Sequence, residues 1–100
     1  MKIIRTHHSL CRPASPACLI EARMAELRRT FAETAQRGQI KPKRLRRILD
    51  GAPLRAKDVV RLAIALDRWY PSFASELEAA GTACEAWDRE ERRLAKERGL

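Results

Sequence analysis

Apolar side chains recur along the first third of the chain at Ile20, Met24, Leu27, Phe31 and Ala35, spaced by four, three, four and four. That is one amphipathic helical face, and periodicity alone draws a single helix from 16 to 37. Local chemistry argues for dividing it. Ser15 ahead of Pro16 supplies a cap and a proline at the first helical position. Thr30-Phe31-Ala32-Glu33 has the form of a capping box, which starts a second helix. The favoured reading is therefore a helix over about 16–28 and a short one over 31–37 stopped by Gly38, although one bent helix fits the same stripe. Pro42 opens a third helix, because proline is tolerated only in a first turn. Leu45, Ile48 and Leu49 form its apolar edge, and Asp50-Gly51-Ala52-Pro53 ends it. A fourth helix is predicted over roughly 55–68, from Val59, Leu62, Ala63 and Leu66. Tyr70-Pro71 breaks the chain, and a fifth helix from about Ser72 to Ala80 is closed by Gly81. Thr82-Ala83-Cys84-Glu85 forms a further capping box, which predicts a sixth helix toward Arg98. That last segment is thinly apolar (Cys84, Trp87, Leu94) and carries the spaced pairs Glu85–Arg89 and Asp88–Arg92.

One hundred residues make one domain with a modest core. Ala, Leu, Arg and Glu dominate, while Val, Ile, Thr and Tyr are sparse and never alternate for long, which excludes a strand-rich fold. The fold class expected is all-α, a compact bundle of five to six short helices. Residues 1–15 read as an irregular arm, 16–81 as the main domain and 82–100 as a C-terminal helix.

Charge changes the picture most. Lys and Arg number 21 against 13 Asp and Glu, a net +8. Residues 1–70 hold 16 basic and 6 acidic side chains, and residues 71–100 hold 5 and 7. From Arg37 to Arg47 six of eleven residues are basic and none is acidic. A field so concentrated attracts polyanions, although a solvated face that keeps the protein in solution is the plainer reading of any such run. A membrane-surface role is disfavoured, since no basic helix carries an aromatic-rich opposite face. The opening MKIIRTHHSL, broken by Arg5, His7 and His8, reads as neither signal peptide nor membrane span. The odd set Cys11, Cys18 and Cys84 fits reduced thiols, so a cytoplasmic location is expected without disulfides. Cys18 and Cys84 read as small helix-packing residues. His7, His8, Cys11 and Cys18 lack the paired spacing of a zinc site. No base stands beside a nucleophile and no glycine loop cradles phosphate, so neither enzyme activity nor a cofactor is expected. Trp69, Tyr70 and Phe73 could stack on unpaired bases, but an aromatic cluster at a proline corner more commonly closes a core.

A short helix, a tight turn and a basic second helix follow the order of a helix-turn-helix. Such a motif needs a small residue where the two helices touch, here Ala35, and apolar residues on the inner side only, here Ile40, Leu45 and Ile48. With Thr30, Ala35, Ile40, Leu45, Ile48 and Gly51 in register, and Leu62-Ala63-Ile64-Ala65-Leu66 ending the next helix, residues 20–70 resemble the lambda-repressor-like family of phage repressors, Cro proteins and related antitoxins. The resemblance implies a small sequence-specific regulator of phage or mobile-element type that acts by occupying an operator on double-stranded DNA. It also implies base reading by Lys41, Lys43, Arg44 and Arg47, and phosphate contacts from Thr30, Arg37, Arg46, Arg55 and Lys57. Relatives bind as homodimers, with the fifth helix or the tail as the expected interface. The alternative is a protein-binding inhibitor or adaptor on the same scaffold, its partner met through the C-terminal helix. RNA binding is a third reading.

Overall fold

A computed structural model describes residues 12–99. Five helices make up this part of the chain, α1 (Pro16–Leu27), α2 (Phe31–Gly38), α3 (Pro42–Leu49), α4 (Ala56–Ala65) and α5 (Tyr70–Glu97), with no strand among the described residues. The arm expected at 1–15 is described only from Arg12, and His7, His8 and Cys11, for which no metal site is expected, lie outside the described residues.

The helix starts follow their local chemistry. Ser15 Oγ accepts a hydrogen bond from the Cys18 N–H at 3.1 Å, with Pro16 at the first position. Arg28 then takes a left-handed conformation (φ 55°) and ends α1. Two residues later both arms of the Thr30 capping box are closed: the Glu33 N–H donates to Thr30 Oγ1 at 3.1 Å, and the Thr30 N–H donates to Glu33 Oε1 at 2.8 Å. The amphipathic stripe that could have been one helix is therefore two. The core is built by Ile20 from α1, Ala35 from α2, Ile40 from the turn, Leu45 and Ile48 from α3, Leu62, Ala63, Ala65 and Leu66 from α4 and its end, and Phe73 and Leu77 from α5. Arginines from α1 and the α1–α2 turn close the far end of α4: Arg23 donates to the Leu66 carbonyl at 3.0 Å, and Arg29 donates to the Ala65 carbonyl and pairs with Asp67 at 2.7 Å. Cations at a helix C-terminus complement its dipole and satisfy its last carbonyls.

Three expectations need correction. Gly81 does not end a helix; α5 runs unbroken for 28 residues. Phe73, Leu77 and Cys84 are all buried along it, and their spacing of four and seven keeps them on one face only if the helix continues. Holding that stripe outweighs the ~1 kcal/mol that a mid-helix glycine costs. At 1.5 Å per residue, α5 is about 42 Å long, which accounts for a longest dimension of 47 Å. The aromatic corner also divides: Phe73 is buried under the Arg68 guanidinium, 5.4 Å from the ring centroid, but Trp69 is 74% exposed. Cys18 is exposed on α1, whereas Cys84 is buried with its Sγ at 3.3 Å from the Pro13 carbonyl.

A close helix contact forms at Gly38. A Cβ there would lie 2.8 Å from the Arg61 carbonyl and 3.1 Å from Ala65 Cβ, so α2 approaches α4 as closely as backbone allows. Gly38→Ala is expected to lower stability by about 1–3 kcal/mol, because the obstruction is backbone and cannot swing aside. At Gly81 the nearest neighbour of a Cβ is Pro16 Cγ at an ordinary 3.8 Å. Gly81→Ala should therefore stabilise by about 0.5–1 kcal/mol through helix propensity. Urea unfolding midpoints of the two variants should shift in opposite directions.

Candidate nucleic-acid interface

The connection from α2 to α3 is three residues long, and its shape is fixed by the Gly38 contact. The glycine is used for close packing and so cannot supply the left-handed residue that ends the helix. Gln39 takes that conformation instead (φ 53°), at a cost of roughly 1 kcal/mol for a residue with a side chain. The Ile40 N–H returns to the Ala35 carbonyl at 2.9 Å, and Arg61 donates from α4 to the Gln39 carbonyl at 3.2 Å. Ile40 is buried and pins the turn to the core.

Pro42 begins α3 with Lys41 as the capping residue and no side-chain cap bond. Leu45 and Ile48 are buried, while Lys41, Pro42, Lys43, Arg46 and Arg47 are exposed. Lys43, Arg46 and Arg47 share one face, being three and four residues apart. Lys41 and Lys43 stand at the positive end of the helix dipole, where cations reinforce the local potential instead of offsetting it. The Arg46 guanidinium lies over the Phe31 ring at 4.6 Å from its centroid, joining the outer surface of α3 to the first residue of α2. Phe31 and Pro42 line two shallow hollows on this side, one toward Ala32, Gln36 and Gln39, the other toward Lys43, Arg46 and Arg47.

Arg44, expected among the base-reading residues, does not join its basic neighbours on the outer face of α3. It points inward and makes a two-pronged contact with Asp58, at 2.6 Å and 3.4 Å, while also donating to the Pro53 carbonyl at 2.8 Å. The Asp58 side chain is 6% exposed and that of Arg44 20%. A buried carboxylate requires such a partner, and the planar guanidinium fork matches it. Asp58 also accepts the Arg55 backbone N–H at 2.9 Å, which organises the start of α4. The Asp58 pairing was missed in the sequence, although a signal was there: Asp58 lies on the same stripe as Leu62 and Ala65, so an acid stands on the apolar face of α4.

The other phosphate candidates divide. Arg55 and Lys57 are exposed at the start of α4, and neither takes part in an ion pair among the described residues. Arg37 is exposed at the end of α2, with Asp67 at 3.8 Å. The Thr30 hydroxyl accepts the capping bond of its own helix and keeps its proton to donate to another partner. Lys41, Lys43 and Arg47 likewise enter no ion pair among the described residues. Elsewhere Asp88 pairs with Arg12 of the N-terminal segment at 2.8 Å, and Arg93 bridges Glu90 and Glu97.

The hydrogen bonds from Arg44 hold the Asp58 carboxyl below the usual carboxylate range, with a further contribution from the Arg55 N–H and against the opposing effect of burial. Asp67 beside Arg29, and Asp88 beside Arg12, are lowered in the same direction by their arginine hydrogen bonds. A carboxylate with a depressed folded pKa contributes stability that is present above its unfolded value of ~4 and lost as pH falls through the folded value. The protein should hold its midpoint from neutral pH to about 4–5 and lose stability below that range. Asp58→Asn should flatten this acid limb and cost about 3–5 kcal/mol, the scale for breaking one side of a buried pair. Arg44→Ala should destabilise by a similar amount, and chemical denaturation across pH checks both.

No family model, no curated protein and no solved structure matches this chain.

Proposed function

We propose that α2, the 39–41 turn and α3 act as a helix-turn-helix, and that the protein is a small sequence-specific DNA-binding regulator working by operator occupancy. The observation that carries this reading is the outward face of α3. Lys41, Lys43, Arg46 and Arg47 are all exposed there, in a run of the chain with no acidic residue between Arg37 and Arg47. Lys41, Lys43 and Arg47 are the cations for base edges and nearby phosphates, with Arg46 steadied on Phe31. Arg37, Arg55 and Lys57 hold the flanking phosphates, and Thr30 can add only a hydroxyl proton. The scale of such an interface suits one half-site, and a homodimer would supply the second. No helix among the described residues is long and apolar enough to cross a membrane.

A second reading, a protein-binding adaptor on the same scaffold, is favoured by Val60 and Ile64. They lie one turn apart on the outer side of α4, and Ile64 is 61% exposed.

Electrophoretic shift on the DNA upstream of the coding region separates the two. About six phosphate contacts should make affinity fall on the order of 10³-fold between ~50 and ~200 mM salt. Arg47→Ala and Lys43→Ala should each weaken binding by roughly 5- to 100-fold with little change in unfolding midpoint. Retardation that is absent at ~150 mM salt, or indifferent to both substitutions, moves the weight to the adaptor.

A further inference from the structure

Among the cations of the α2–α3 surface lies neutral ground that the charge argument does not use. Phe31 and Pro42 form a ridge between the two hollows, and Ala32, Gln36 and Gln39 border the ridge on the α2 side. Ala32, Gln36, Gln39 and Pro42 are exposed and Phe31 is half-buried. Apolar surface at the centre of the most basic face has no role toward a phosphate chain. It does fit base edges. In the major groove a thymine presents an apolar C5 methyl, and its paired adenine presents an acceptor and a donor side by side, which one glutamine amide can answer with two hydrogen bonds.

We infer that the patch of Phe31, Ala32, Gln36, Gln39 and Pro42 reads A·T base pairs through the major groove, amide against adenine and ridge against the thymine methyl. The inference rests on the DNA-binding reading above and adds which bases this side of the interface selects. Pro42 has no N–H to offer, so the leading edge of α3 discriminates by contact instead of hydrogen bonding there. Gln39 projects from a backbone fixed by its left-handed conformation and by the Arg61 bond to its carbonyl at 3.2 Å. A side chain rooted in this way loses less freedom on binding. Stacking of an unpaired base on Phe31 is the competing use of the same ring, but one face is already covered by Arg46 at 4.6 Å. Duplex edges fit the remaining surface better than single strands do.

The test uses the full chain and labelled 20-base-pair duplexes of A·T, A·U and G·C composition, read by fluorescence anisotropy at about 100 mM salt. The variant is Gln36→Ala with Gln39→Gly, which removes both amides while keeping a residue suited to the left-handed turn. Circular dichroism establishes that it folds. The double variant should lose about 10-fold or more in affinity for A·T and stay within roughly 2-fold of the parent on G·C, where the cations still act. Replacing thymine by uracil, which deletes only the methyl, should weaken the parent about 3- to 4-fold. Equal loss on all duplexes, loss on none, or equal binding to A·T and A·U overturns the inference while DNA binding itself stands. Absence of salt-sensitive binding to any of the three removes the regulator reading and the inference together.

Discussion

In the middle of the most basic stretch of the chain, Arg44 turns its charge inward to Asp58, and the orientation of everything around it follows. Asp58 sits on the core side of α4, where a lone carboxylate would be prohibitively costly to bury. The Arg44 fork, the Arg55 N–H and the Pro53 carbonyl complete a network that joins α3, the loop after it and the first turn of α4. Rotation of α3 is thereby set. With Leu45 and Ile48 also held inside, a helix of only eight residues has one face left for solvent, and that face carries Lys43, Arg46 and Arg47. A buried ion pair is weak support for stability as such; its consequence here is geometric, because it decides which cations stay outside.

The second constraint comes from α2. Gly38 lets α2 lie against the backbone of α4, and the left-handed residue that usually favours glycine is displaced one position to Gln39. Arg61 then secures the displaced carbonyl. The two contacts tie both short helices to α4, α2 by close approach and α3 by the charge pair. The outer surface shared by Phe31 and Arg46 is a product of that double anchoring, since neither short helix would hold its place alone.

Much of this was legible in the sequence wherever local chemistry and periodicity agree. Ser15-Pro16, the Thr30 capping box and Pro42 each mark a helix start within a few residues, and Leu45, Ile48 and Leu62 lie on faces that periodicity alone assigns to the core. Legibility failed where a contact distant in sequence overrode a local signal. Gly81 and Thr82 look like a stop and a new start, yet Phe73, Leu77 and Cys84 gain more from one continuous face than a break would offer. Arg44 looks like its basic neighbours, and only the acid fourteen residues later, standing on an apolar stripe, distinguishes it. Trp69 follows the same logic in reverse, because a proline corner recruits Phe73 to the core and leaves the indole outside. The neutral residues Gln36 and Gln39 carry no charge signal, and only the fold brings them to one hollow with Pro42.

The formal charge of +8 is not presented evenly over the surface that a polyanion would meet. Arg12, Arg23, Arg29, Arg44, Arg61 and Arg68 each donate to a carboxylate or a backbone carbonyl within the fold, and a guanidinium suits such ties because its planar fork loses little freedom on bonding. The lysines at 41, 43 and 57 hold no such tie among the described residues, and neither does Arg47. They sit on α3 and at the start of α4, while the acidic excess lies in residues 71–100 on α5. The remaining field is therefore directional, positive on one side of the bundle and weakly negative along its longest helix. An approaching polyanion would be turned toward α3 before any contact forms. Orientation of the encounter thus depends less on how many basic residues the chain has than on which of them folding leaves free.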